Sequence, residues 1–305
     1  MRLGFFEFIV GEDMILTAPS FIESLINFEP LRYALIAGIC IGFIAPLTGS
    51  VVIIRRLSFI ADTLSHFSLA GVTVGIFLSK LLSHVININP IYMGVLFSIG
   101  GTFIIELLRG FYKNYKELSM TILLSMGVAL SGLFIALTPG ISTSYTTGLL
   151  FGSIMSVDKN DVLVTLITSA LILIFTAIFY KQIVSLCFDE THARISGINV
   201  RLLQLAITVI LAVVISVFLE LVGVLLISAL LIVPVSASIL IGNSFRQTIT
   251  TAIVFSEISI ITGFYISFKL VLPIGSTVAL LNILILAGVM LFVRIRKRYV
   301  KKSET

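Results

Sequence analysis

Asp62 and His66 stand four residues apart in the segment RRLSFIADTLSHFSLAGVTVG, residues 55–75. On a helix that spacing places both side chains on one face, a turn apart. The surrounding stretch is otherwise apolar enough to cross a membrane, where an aspartate costs about 2.5–3.5 kcal/mol to insert, so such residues point to function. A carboxylate with a neutral imidazole suits a borderline divalent metal such as zinc or manganese. Two donors fall short of the four a structural zinc takes, which fits a transit site better than a permanent cage. The competing reading is a pair that hydrogen-bonds internally or to a neighbouring helix and only locks packing.

Other candidates are few. Glu257, mid-span in FSEISIITG, is a third polar group for the metal, with an equal claim to a packing role. Glu220 falls at an outer turn, where it reads as solvated, and His84 and His192 fall in loops. HExxH, GxSxG and GxxxxGK[ST] are all absent, so the chain does not read as an enzyme and carries no P-loop of its own.

The elements that must position these residues follow from composition. The chain is 58% hydrophobic and 11% charged, with a mean hydropathy of +1.17. Those values exclude a soluble domain. Backbone polar groups in hydrocarbon must be satisfied internally, and the long apolar runs without period-two alternation select helices over a barrel. The expected fold is all-α: a polytopic integral membrane helical bundle of about eight or nine transmembrane helices. Nine spans are predicted at 31–54, 57–81, 91–108, 118–137, 162–180, 202–219, 222–241, 248–270 and 274–293, with a turn at 220–223 dividing the longest apolar block. Residues 1–30 read as an extracellular or interfacial N-terminal segment without a cleavable signal, 31–294 as a single transmembrane domain, and 295–305 as a basic cytoplasmic tail.

Charge orients the bundle. With the tail RIRKRYVKK in the cytoplasm, fifteen of the 20 Lys and Arg fall inside, and seven acidic residues fall outside. The net charge of +5 is thus a membrane topology signal, not a nucleic-acid footprint. Cys40 and Cys187 fit no CxxC and read as free thiols. Gly71 and Gly75 form a GxxxG on the helix of the Asp/His pair, as do Gly38 and Gly42 in the first span; this spacing permits close helix packing. Pro234 in ALLIVPVSAS is expected to kink its helix, with Ser236 and Ser238 satisfying freed groups or lining a pore.

Two segments resemble one family. RRLSFIADTLSHFSLAGVTVG is similar to the signature LRxxxxxDxxSHxxxxG of permeases in bacterial zinc, manganese and iron ABC importers. DETHARISGINV, then VGVLLISALLIVPVSAS, resembles that family's DxxxAxxxG cytoplasmic loop and its VGxLLxxALLxxPxxxA helix. The late STVALLN also looks like its closing span. The acidic, extended N-terminus and Glu220, where the family often has Gln, depart from the pattern.

The resemblance implies that Asp62 and His66 contribute to the metal path. It implies that residues 189–197 dock on a separate cytoplasmic ABC ATPase, with Asp189, Ala193 and Gly197 at the motif's fixed positions and Glu190 and Arg194 adding polar contacts to the partner. It further implies a homodimer in the bacterial plasma membrane with a cytoplasmic C-terminus. An extracellular solute-binding protein would supply Zn2+ or Mn2+ as cargo, with no permanently bound cofactor. The rivals are an ion-coupled secondary metal transporter using Asp62, His66 and Glu257 as a proton relay, and an intramembrane metalloenzyme. The first needs no ATPase; the second needs a third firm ligand.

Overall fold

A computed structural model describes residues 21–81, 89–112, 115–152 and 157–303. Residues 1–20, His84 and the Glu220 side chain, and the expectations attached to them, lie outside it. No strand occurs among the described residues. In chain order the helices are α1 (Phe21–Asn27), α2 (Glu29–Ile54), α3 (Ser58–Leu81), α4 (Pro90–Phe111), α5 (Lys116–Leu137), α6 (Thr143–Phe151), α7 (Lys159–Phe188), α8 (Glu190–Ile195), α9 (Val200–Ile239), α10 (Phe245–Leu270) and α11 (Ile274–Ser303).

Nine described segments are long and apolar enough to cross a membrane, with α9 supplying two of them, Val200–Leu219 and Leu221–Ile239. The starts follow local rules. Pro90 opens α4 behind an Asn89 cap, an Asp158–Asp161 capping box opens α7, and Ser244 caps α10. These side chains satisfy N–H groups that have no intrahelical partner.

The break in α9 is a reversal. Gly223 alone leaves helical dihedrals, at φ 79° and ψ 162°. Before it, Gln204 meets Arg55 and Ser216 meets Ser68 of α3 at 2.9 Å. After it, Ser228 returns to Asp62 and Ser65, and Leu231 backs onto Gly49 of α2. The two halves therefore run antiparallel along α3, and the turn expected at 220–223 is where the chain reverses. Only glycine fits there, because a Cβ on Gly223 would stand 2.5 Å from the Gly152 amide nitrogen and 2.7 Å from the Leu150 carbonyl. Gly152 mirrors it at φ 80°, closing α6 against Val222.

At Pro234, where a kink is expected, α9 continues to Ile239 with helical dihedrals. Ser236 bonds the Ile232 carbonyl and Ser238 the Val235 carbonyl, so neither hydroxyl reaches the freed Leu230 carbonyl.

α3 is the central helix, packed against α4, α5 and both halves of α9. In lipid, apolar contact gives little drive, so close approach and hydrogen bonds must hold helices together. Gly71 and Gly75 supply the approach: a Cβ on Gly71 would meet Met93, Gly94 and Phe97 of α4, and one on Gly75 would meet Pro90 and Met93. Gly38 and Gly42 serve likewise against Phe264, Ile260 and Glu257 of α10. Buried hydroxyls fold back onto their own helix, as Ser65 does to Ala61 and Thr63 to Phe59. By contrast α7 and α11 present rows of exposed Leu and Ile, among them Leu166, Ile174, Leu280 and Leu284.

Candidate functional site

α3 carries Asp62 and His66 on the face it does not bury. Ala61, Leu64, Ser65 and Ser68 are fully enclosed, whereas the side chains of Asp62 and His66 remain 41% and 22% exposed. The helical turn brings His66 Nε2 to 3.8 Å from Asp62 Oδ1. Across from them, Ser228 Oγ donates to Asp62 Oδ1 at 3.2 Å and lies 3.5 Å from Ser65 Oγ. Behind the pair α5 comes close at Gly127, whose added Cβ would stand 3.0 Å from the His66 carbonyl. The result is an open ledge between α5 and the second half of α9, holding two donors and a hydroxyl.

Glu257 does not join this ledge. It sits on α10 against α2, with Oε1 3.0 Å from where a Gly42 Cβ would be. That oxygen is buried and has no hydrogen-bond partner. Among the described residues, no three His, Cys, Asp or Glu side chains gather where one ion could bind. Asp62 and His66 thus have no third such side chain beside them among the described residues, and Glu257 stands apart from the relay the secondary-transporter reading needs. Ser228 is the neighbour that sequence reasoning passed over. Its only signal was a hydroxyl in the apolar run LLISALL, which any helix can satisfy locally.

The second site is the short segment after α7. Asp189 accepts from the backbone N–H groups of Thr191 and His192, at 2.8 and 3.1 Å, and so caps α8. Those two donors hold its carboxyl below the usual aspartate range. Ala193 is completely buried, packed with Val51, Ile183, Leu186, Val200 and Leu203. Its small size seats α8 against the chain's own bundle, where a larger side chain would not fit. Gly197, at φ 81°, stops the helix in a conformation that disfavours other residues.

Glu190 pairs within the chain while its side chain stays 50% exposed. It lies 3.6 Å from Arg55 and 3.3 Å from Arg194. Beside the exposed Arg194 stand two outward apolar residues: Ile195 is 82% exposed and Phe188 is 69% exposed. Neither was singled out in the sequence, because an exposed apolar residue is visible only once the fold shows which face is free.

Nine segments able to cross a membrane among the described residues, packed around a central helix that carries a polar pair, define a multi-pass helical membrane protein. Residues 27–293 match the model of the ABC 3 transport family, and the chain belongs to that family. It is 29% identical over 272 residues to the manganese transport system membrane protein MntC of Listeria innocua, covering 89% of this chain and 94% of that one. The manganese import system permease protein ScaB of Streptococcus gordonii is 28% identical, with 93% and 98% covered. Among solved structures, PsaBC from Streptococcus pneumoniae in complex with Fab superposes with a TM-score of 0.77 at 28% identity, over 88% of this chain and 94% of that chain.

Proposed function

We propose that this chain is the membrane subunit of an ATP-driven importer for a divalent transition-metal ion, working as a homodimer with its basic C-terminus in the cytoplasm. The observation that carries the reading is the half-exposed Asp62–His66 pair, which is half of a metal site. Two-fold association would bring two carboxylates and two imidazoles to one axis, the four donors such an ion accepts. A pathway between subunits supplies the missing ligands without a third buried residue in either chain.

The chemistry at the ledge is exchange. A hydrated ion arriving from an extracellular solute-binding protein sheds water onto Asp62 and His66, each of which gives a donor without a closed cage. Ser228 holds Asp62 in place by bonding Oδ1, leaving the other oxygen free to bind. Release follows when the subunits tilt and the two half-sites part. A separate cytoplasmic ATPase dimer would drive that tilt through α8, with Ile195 and Phe188 entering its groove. The relatives named for manganese make Mn2+ the first cargo to test; zinc and iron accept the same donors.

The test is uptake of radioactive manganese, zinc and iron by cells with the chain present, absent, or carrying Asp62→Ala or His66→Ala, each with the ATPase gene intact or deleted. ATP-dependent uptake that falls to background in both variants, while the protein still purifies as a monodisperse complex, supports the reading. Wild-type uptake in both variants refutes the site. Uptake indifferent to the ATPase selects secondary transport instead.

A further inference from the structure

Six polar side chains form an unbroken line across the Arg55 end of the bundle. Arg194 reaches Glu190 at 3.3 Å, and Glu190 faces Arg55 at 3.6 Å. Arg55 donates to Gln204 Oε1 at 3.2 Å, and Gln204 donates to Glu106 at 3.4 Å. Glu106 then holds Arg109 at 3.0 Å. The line starts on α8, crosses the end of α2 and the start of α9, and finishes on α4. Arg55 is its centre, and its side chain is only 11% exposed.

A guanidinium that covered stays put because its Nη2 donates to Gln204 while it faces the Glu190 carboxylate. Removing the charge would take away the ion pair between Glu190 of α8 and the end of α2 and leave the buried Ala193 contact of α8 in place. Arg55 is also where α2 ends. Only Arg56 and Leu57 separate it from α3, and Arg56 is locked at φ 58°. The joint is pinned by Arg56 N–H to the Ile53 carbonyl and Leu57 N–H to the Val52 carbonyl, both at 2.9 Å. A joint so short and so bonded transmits displacement rather than absorbing it. From Ser58 the helix rises about 6 Å to Asp62 and about 12 Å to His66 at 1.5 Å per residue.

We infer that Arg55 is a positioning residue that couples α8 to the helix bearing Asp62 and His66, so that movement of α8 becomes movement of the metal ledge. This rests on the reading of α8 as the ATPase contact. Arg55 touches neither metal nor ATPase; it acts by gripping Glu190 on one side and Gln204 on the other while anchoring the α2–α3 joint.

The experiment uses the chain reconstituted in proteoliposomes with its ATPase subunit and supplied with its solute-binding protein, reading Mn2+ uptake and ATP hydrolysis in the same vesicles. Arg55→Gln, which keeps a bond to Gln204 and loses the charge facing Glu190, should lower uptake per ATP hydrolysed by about tenfold, within the range of coupling between linked sites. Arg55→Lys should retain more coupling than Arg55→Gln. The charge swap Arg55→Glu with Glu190→Arg should recover coupling that either single reversal loses.

Wild-type uptake per ATP in Arg55→Gln overturns the inference. So does loss of the ATPase from the purified Arg55→Gln complex, which would make Arg55 a support for docking. Should Arg55→Gln fail to fold, Glu190→Gln on the exposed helix must show the same drop in uptake per ATP, and unchanged coupling there overturns the inference as well. If wild-type vesicles show no ATP-dependent uptake of manganese, zinc or iron, the importer reading fails instead. The two failures are thus distinct.

Discussion

Adding one methyl group at Gly71 should separate α3 from α4. The ideal Cβ there would stand 2.5 Å from the Met93 carbonyl oxygen, 2.7 Å from Phe97 Cβ and 2.9 Å from Gly94 Cα. Carbon atoms rest comfortably at about 3.5–4.0 Å, so the helices must part by roughly 0.6 Å or more. All three obstacles are backbone or first side-chain atoms, which cannot rotate away. Overpacking of this kind costs about 1–3 kcal/mol.

A Gly-to-Ala change inside a helix also gains up to about 1 kcal/mol from reduced chain freedom, which would blur the effect. Gly100 on α4 supplies the control, because nothing lies within 4 Å of its Cβ position. Gly71→Ala and Gly100→Ala share the propensity gain and differ only in packing. Their stabilities should differ by about 1–3 kcal/mol, or roughly 2–12 °C in melting temperature at 2–4 °C per kcal/mol. The assay is thermal unfolding in detergent, followed by a thiol-reactive dye on the free Cys40 and Cys187. Metal uptake is read in parallel, since the displaced helix carries Asp62 and His66. Equal melting temperatures for the two variants would refute the close-packing argument.

Two further outcomes follow from the geometry. Ile195→Asp places a charge on the most exposed apolar residue of α8 and should release the ATPase during purification while leaving the bundle's melting temperature within about 2 °C of wild type, since exposed substitutions are near neutral; retained ATPase at wild-type stoichiometry would exclude Ile195 from the contact. Gly223→Ala puts a side chain where φ is 79° and where the Gly152 nitrogen and Leu150 carbonyl leave no room; backbone strain of about 1–3 kcal/mol plus the clash should sharply reduce folded protein on size exclusion, and wild-type yield and melting would show that the reversal tolerates a Cβ.

Much was legible without coordinates because a membrane imposes one dominant constraint. Each span had to be apolar and helical, so composition and segment length located nine crossings, and the break at residues 220–223 was readable from a glycine beside an acid in an otherwise continuous apolar run. Asp62 and His66 stood out for the same reason: a charge in hydrocarbon is conspicuous. The glycine spacings of α2 and α3 likewise announced close contacts, and the structure supplied their partners on α10 and α4.

Tertiary structure decided which polar residues meet. Glu257 looked equivalent to Asp62 along the chain, yet it packs against Gly42 on another helix pair, and no sequence spacing reports on distances between helices. Ser228 reaches Asp62 from 166 positions away because α9 reverses and runs back beside α3. Ser236 and Ser238 bond the Ile232 and Val235 carbonyls rather than the one Pro234 frees. Ala193 is buried against the chain's own bundle, and the half-exposed Glu190 also faces Arg55 of α2, contacts that no spacing along a six-residue helix reports. Periodicity and polarity fix what each helix must be; only the packing of one helix on another selects which side chains share a site.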